Sequence, residues 1–165
     1  MLDISNNDKR AYNYPMSREF PSLHAAPQAS AGFLLWQATN RWQRRQRAAL
    51  KPLGLTPVQV VLLATLDRLA EEEGAVSQAR LAAAAGADVM MTSQVVRALA
   101  RRGWVVREAD PADRRTLRLK LTPAGLALTS RALTASERVD EEFFAAAGIP
   151  AERFATFCTR LLSDE

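Results

Sequence analysis

Cysteine is almost missing from this chain: Cys158 is the only one in 165 residues. One thiol allows no internal disulfide, and nothing argues for an oxidising compartment. Histidine is equally scarce. His24 stands alone, with no Cys, His or acidic cluster at ligand spacing around it, which argues against a metal centre. No run approaches the ~20 apolar residues needed to span a bilayer, and the opening MLDISNNDKR has no apolar stretch of signal-peptide type. A cytoplasmic protein without a membrane partner is expected. No nucleophile–base pair, metal cluster or phosphate loop is legible, so the chain does not read as an enzyme and calls for no cofactor.

The chain does have basic charge, and that charge is concentrated. At 48% hydrophobic, 165 residues can bury one ordinary core of about 100–150 residues plus an extension. A sequence pI near 9.8 suits an anionic partner. From Asp88 to Thr122 there are eight Lys and Arg against four acids, and this net +4 equals that of the whole chain. The remaining residues therefore sum to zero. A positive field confined to one short unit is expected of phosphate contact, although a solvated basic surface has the same composition.

Local signals place that unit on a helix and a hairpin. At about 100° per residue, Val89, Thr92, Val96 and Leu99 share one side, and Met90, Gln94, Arg97 and Arg101 share the other. One face is core and the other is polar and basic. Gly103 can close the helix in a left-handed conformation. Trp104 to Glu108 can then run as a strand. After an Asp-Pro turn, Leu117, Leu119 and Leu121 alternate with Thr116, Arg118 and Lys120 as a half-buried strand does.

Residues 1–29 contain Pro15, Pro21 and Pro27 and no sustained period, and read as an N-terminal extension. From Ser30 the spacing predicts a helix ending before Pro52, apolar in its first half and arginine-rich in its second. Thr56-Pro57 supplies a cap and a first-turn proline for a core helix to about Ala70, with Val60, Val61, Leu63, Ala64 and Leu66 apolar nearly all round. The acidic run Glu71 to Glu73 then ends it. Ser77 caps a short helix, Gln78 to Ala84, and Asp88 caps the basic-faced one, which makes a helix-turn-helix with a wing after it. Thr122-Pro123 launches a long helix to about Ala147, and Pro150 opens a last one with Phe154, Phe157, Leu161 and Leu162 in one stripe. Leu126, Leu133, Phe143 and Phe144 exceed what a small winged helix can bury, so a second copy of the chain is the simplest sink. The expected fold is mainly α, a winged helix-turn-helix (56–122) with a two-stranded wing. Long dimerisation helices flank it at 30–55 and 123–165.

The order of these elements resembles the MarR family of bacterial transcription regulators. LKPLGLTPVQVVLLATL looks like that family's first linker and second helix. SQVVRALARRGWVVREADPADRRTLRLKLTPAG looks like its recognition helix, Asp/Arg wing and fifth-helix start. GFLLWQATNRWQR is similar to the first helix of one subset, and together the three cover about residues 31–135. The resemblance implies a homodimer with each recognition helix in a major groove of a palindromic DNA operator and each wing in the flanking minor groove. It also implies repression relieved by a small, often aromatic, ligand or by cysteine oxidation. Asp113 and Arg115 match the wing's Asp-x-Arg, in which the acid braces the arginine, and Ser93 and Gln94 match the middle of the recognition helix. The peroxide-sensing members hold their cysteine near the first helix, where this chain has none.

Gln94 and Arg97 have the chemistry to read adenine and guanine through paired hydrogen bonds, or they form a solvated helix face. Met90 either touches a thymine methyl or closes the helix-turn-helix. Ser77, Arg101 and Arg118 suit phosphate positioning, and Arg114 in the wing is expected to meet phosphate as well. Trp36 and Asn40, one helical turn apart, can stack on and hydrogen-bond a planar effector, though Trp36 is equally suited to core packing. Cys158, at helical spacing from Phe154 and Leu161, reads as a buried, inert thiol. The rival reading is a winged-helix module that binds protein or RNA without sequence-specific DNA recognition.

Overall fold

The computed structural model describes residues 30–109 and 117–163. Six α-helices and three short strands follow in the order α1 (Ala31–Leu50), α2 (Pro57–Glu73), β1 (Val76–Ser77), α3 (Gln78–Ala84), α4 (Val89–Arg101), β2 (Val105–Ala109), β3 (Leu117–Leu121), α5 (Pro123–Ala145) and α6 (Ala151–Leu162). The expected extension over 1–29, with His24, and the wing tip with Asp113, Arg114 and Arg115 lie outside the described residues. By internal contacts the chain divides into Met1–Trp36 and Gln37–Glu165. Within the first unit the rings of Phe33 and Trp36 stack 6.2 Å apart. Everything below concerns the second unit unless stated.

The helix starts form as their capping residues dictate. Thr56 accepts a hydrogen bond from Gln59 N, and the Gln59 side chain accepts one from Thr56 N at 2.9 Å, a reciprocal box that satisfies two otherwise orphaned donors. Ser77, Asp88 and Thr122 each accept from the third amide of the helix that follows. Gly103, at φ 73°, turns the chain out of α4. Its amide donates to Ala100 O, and the Trp104 amide donates to Leu99 O, which satisfies carbonyls the helix end leaves open.

Helix α2 is the centre of the core. Leu62, Leu63, Leu66 and Leu69 are fully buried among Leu50, Leu81, Leu99, Val96, Leu119 and Ala132. Of the residues expected to make α2 a core helix, Val60, Leu63 and Leu66 are buried, whereas Val61 is 49% exposed. The helix also runs past Ala70 through the acidic run. Arg68 pairs with Glu72 one turn on at 2.8 Å, and Arg80 Nε donates to Glu73 at 2.9 Å, so these acids belong to the helix and do not break it.

The sheet has one strand more than expected. β1 pairs with β3, which pairs with β2, all antiparallel, in the register Val76↔Leu119↔Arg107. Two residues are too few to show a period, so β1 leaves no mark in the sequence.

Helix α1 is fastened to α5 by a polar latch. Gln46, almost fully buried, donates to Asp140 Oδ1 at 2.8 Å and to Ser136 O at 3.1 Å, and accepts from Ser136 Oγ at 2.8 Å. Trp42 Nε1 donates to the same Asp140 oxygen at 2.6 Å. Beyond the latch, the Phe144 and Phe154 rings meet at 4.5 Å and join α5 to α6. Leu133 packs against the monomer's own core, so it needs no second copy; Leu126, Phe157, Leu161 and Leu162 remain exposed. Cys158 is half-buried, not buried as its spacing suggests, because α6 contributes no fully buried residue.

At the base of the wing, Trp104 O accepts from Thr122 N at 3.0 Å and faces the first turn of α5. A Cβ on Gly125 would lie 2.0 Å from that oxygen. Gly125→Ala must therefore push α5 away from the strand or break the junction. An overpacking loss of about 3 kcal/mol is expected in denaturant unfolding; stability near wild type would show that the approach is not needed.

Candidate nucleic-acid interface

The face of α4 that periodicity marks as polar is open to solvent. Met90, Gln94, Arg97 and Arg101 are all exposed, and Thr92, Val96 and Leu99 are buried on the opposite side. Thr92 Oγ1 donates to Asp88 O at 2.8 Å, which satisfies the one hydroxyl on the core side. Val89 departs from the wheel: it is 53% exposed although its angle matches the core residues. As the first residue of α4, it lies beyond the core that covers Thr92 and the turns after it.

Two open grooves run along the side of α4 nearest the sheet. The first brings together Ser77 and Gln78 at the start of α3, Val89, Ser93 and Arg97 of α4, Arg107 of β2 and Leu117 of β3. The second continues past Arg97 and Arg107 to Arg101 and the Gly103 turn. Ser77, Ser93, Arg97 and Arg101, expected from the sequence to act together, thus line one continuous strip. Asn40 is half-buried in α1, and Trp36 of the first unit is exposed, so Trp36 is not a core residue of that unit. Arg118 is half-buried and registers opposite Glu108 and Ser77, whereas its neighbour Leu119 is buried. Successive residues of a strand face opposite ways, so Arg118 lies on the sheet face away from Leu119.

Arg107 is the residue that sequence reasoning missed as a site residue. Its register partner is the buried Leu119, and Val105 two positions earlier is buried too, so Arg107 projects from the inner face of the sheet. Its Nε is buried and has no hydrogen-bond partner among the described residues, as is true of Gln78 Oε1 in the same groove. Strict alternation from Val105 was the available signal, since it puts a cation where an apolar residue is expected.

Other arginines are committed to the fold. Arg102 NH1 donates to Gly54 O at 2.6 Å, and its guanidinium lies 3.7 Å from the Trp104 ring centre. The hydrogen bond to Glu73, and then that carboxylate's charge, raise the pKa of Arg80 above its ordinary value. Lys120 sits 3.7 Å from Glu108. Arg97, Arg101 and Arg107 line the grooves beside α4.

The arrangement is that of a winged helix-turn-helix: α3, a tight turn, an exposed basic helix, and a hairpin behind it. Residues 55–117 match the family model for the MarR family. An uncharacterized HTH-type transcriptional regulator of Bacillus subtilis (strain 168), YdcH, is 40% identical over 147 residues, 89% of this chain and 99% of its own. The HTH-type transcriptional repressor Rv2887 of Mycobacterium tuberculosis is 32% identical over 84% of this chain and 98% of its own. Among solved structures, that of Bordetella bronchiseptica BpsR, whose DNA binding is regulated by 6-hydroxynicotinic acid, superposes with a TM-score of 0.73. It is 29% identical and covers 87% of this chain and 99% of BpsR. The chain belongs to the MarR family of transcription regulators. No single helix among its described residues is long and apolar enough to cross a membrane.

Arg107 can be tested apart from any partner. A half-buried cation whose Nε lacks an acceptor costs the free protein stability. Arg107→Met, of similar length and no charge, should leave the unfolding midpoint unchanged or raise stability by about 1 kcal/mol. A clear loss of stability would mark the arginine as structural instead.

Proposed function

We propose that this chain is a homodimeric, sequence-specific repressor that binds a palindromic duplex operator and is released by a small aromatic ligand. The observation that carries the reading is the exposed α4 face with the Arg97–Arg107 groove beside it. Gln94 and Arg97 read base edges in the major groove, where paired hydrogen bonds distinguish adenine and guanine. Ser77, Arg101 and Arg107 hold phosphates and set register, and Ser93 lines the groove between them. Arg118, on the other sheet face beside Glu108, contributes mainly to the positive field. The winged helix (56–122) is the DNA-binding domain, and 30–55 and 123–165 form the dimer helices. Exposed Phe157, Leu161 and Leu162 on α6 and Leu126 on α5 supply apolar area for that interface.

In the wing, Arg115 enters the minor groove, whose negative potential favours a guanidinium. Asp113 braces it, and Arg114 meets phosphate. Arg115→Ala should cost about 1–3 kcal/mol of operator binding and flatten preference for A·T-rich flanks. Arg114→Ala and Arg107→Met should weaken all duplexes alike and reduce the salt dependence by about one counterion each. Asp113→Ala should also weaken binding, although it removes an acid from a basic surface, because the freed arginine loses its preorganisation. A footprint upstream of the coding region, then titrations against operator and scrambled duplex at two salt concentrations, would decide. Equal affinity for both duplexes would favour a protein- or RNA-binding module, and tighter binding by Asp113→Ala would refute the brace.

The effector is proposed to bind near Trp36 and Asn40 and to be of the planar aromatic-acid class, supported by the regulation of BpsR by 6-hydroxynicotinic acid. Sedimentation of the operator complex should show two protomers per palindrome, with dissociation when a salicylate-like or hydroxynicotinate compound is added. Trp36→Phe should blunt that response. A folded monomer at micromolar concentration would sink the dimer, and indifference to every such compound would sink the effector.

A further inference from the structure

We infer that Val89 and Met90 form an apolar tip on α4 that reads thymine through its C5-methyl group. The inference rests on the DNA-binding reading above and names which feature of the operator α4 recognises.

Three observations carry it. Val89 and Met90, the first two residues of α4, are 53% and 73% exposed, so neither closes the helix-turn-helix or fills the core. Their apolar surface is in water in the free protein. The residue before them is Asp88, whose carboxylate accepts from Met91 N at 2.8 Å and places a negative charge at the helix start. A helix N-terminus ordinarily attracts phosphate through its open amides. Here the Asp88 carboxylate already occupies one of those amides and carries a phosphate's own sign, which weakens that attraction.

The third observation is where the donors lie. Ser93 and Gln94 follow Val89 and Met90 by four residues, about one helical turn or ~6 Å along the axis. Val89 is also the apolar wall of the groove whose polar lining is Ser77, Ser93, Arg97 and Arg107. The helix thus presents an acidic, apolar tip and, one turn later, hydrogen-bond donors. In the major groove the one apolar group on any base pair is the thymine methyl. A tip that attracts phosphate less and gains by burying methyls is matched to it, within about two base pairs of the base that Gln94 reads, given a rise of ~3.4 Å per pair.

Deoxyuridine differs from thymidine only by that methyl, which makes it the probe. An operator is first selected from randomised duplex with the full-length wild-type chain, and each thymine is then replaced singly by deoxyuridine. One or two positions per half-site should lose roughly three- to fivefold in affinity, the value of one buried methyl, and the rest should be indifferent. The Val89→Ala, Met90→Ala double variant should bind the thymine operator more weakly by a similar factor per methyl. It should no longer distinguish deoxyuridine at those positions, while keeping the wild-type penalty for changing the base beneath Gln94. Both residues are exposed, so its melting curve should match wild type. Indifference to every deoxyuridine, or a penalty that survives in the double variant, overturns the inference while leaving sequence-specific binding intact. Failure to select any operator overturns the DNA-binding reading itself, and this inference with it.

Discussion

One carbonyl oxygen, that of Trp104, lies where the recognition helix, the wing and the long helix α5 meet. It accepts from Thr122 N at 3.0 Å, and Thr122 Oγ1 donates to the neighbouring Gly103 O at 2.7 Å. Thr122 also caps α5, its Oγ1 accepting from Gly125 N at 2.9 Å. The same threonine therefore ends β3, starts α5 and binds the turn that leaves α4. The close approach is possible only because residue 125 has no Cβ. The start of β2, the end of β3 and the first turn of α5 are thus joined at one point. On the other side of the turn, Arg102 stacks on the Trp104 ring and holds Gly54 O, which ties the elbow between α1 and α2 to the same point.

The arginines divide into two groups. A guanidinium in a defined place either satisfies its donors within the fold or keeps them for a partner. Arg68, Arg80 and Arg102 take the first course, against Glu72, Glu73 and Gly54. Arg97, Arg101 and Arg107 line the grooves beside α4 and take the second course. Exposed ion pairs such as Arg68–Glu72 contribute little stability. Asp88, which caps α4, places the opposite sign at the start of that helix.

Much of this was legible in the sequence because it is local. Ser77, Asp88, Thr56 and Thr122 cap the helices they precede, and Gly103 takes its left-handed turn, since capping and φ > 0 depend on a few neighbouring residues. The split of α4 into Thr92, Val96 and Leu99 against Met90, Gln94 and Arg97 follows from the 3.6-residue period. What was not legible depends on where elements end or on what lies across the chain. Val89 has the angle of a core residue but stands at the helix tip, and Val61 has the hydrophobicity of one but faces outward. Helix α2 ends at Glu73 and not near Ala70, and that last acid is held by Arg80 of the next helix.

The chain by itself determined its class and where its charge lies: a basic helix and hairpin inside a small helical core. Composition, period and capping carry that information, and all three act over a few residues. Tertiary structure alone decided which side chains are available to a partner. Register across three strands brings Arg107 beside Arg97, a buried glutamine ties α1 to α5 across 90 residues of sequence through Ser136, and α4 projects far enough to bare Val89. Burial and hydrogen-bond satisfaction are properties of neighbours in space, and no period along the chain encodes which neighbours those are.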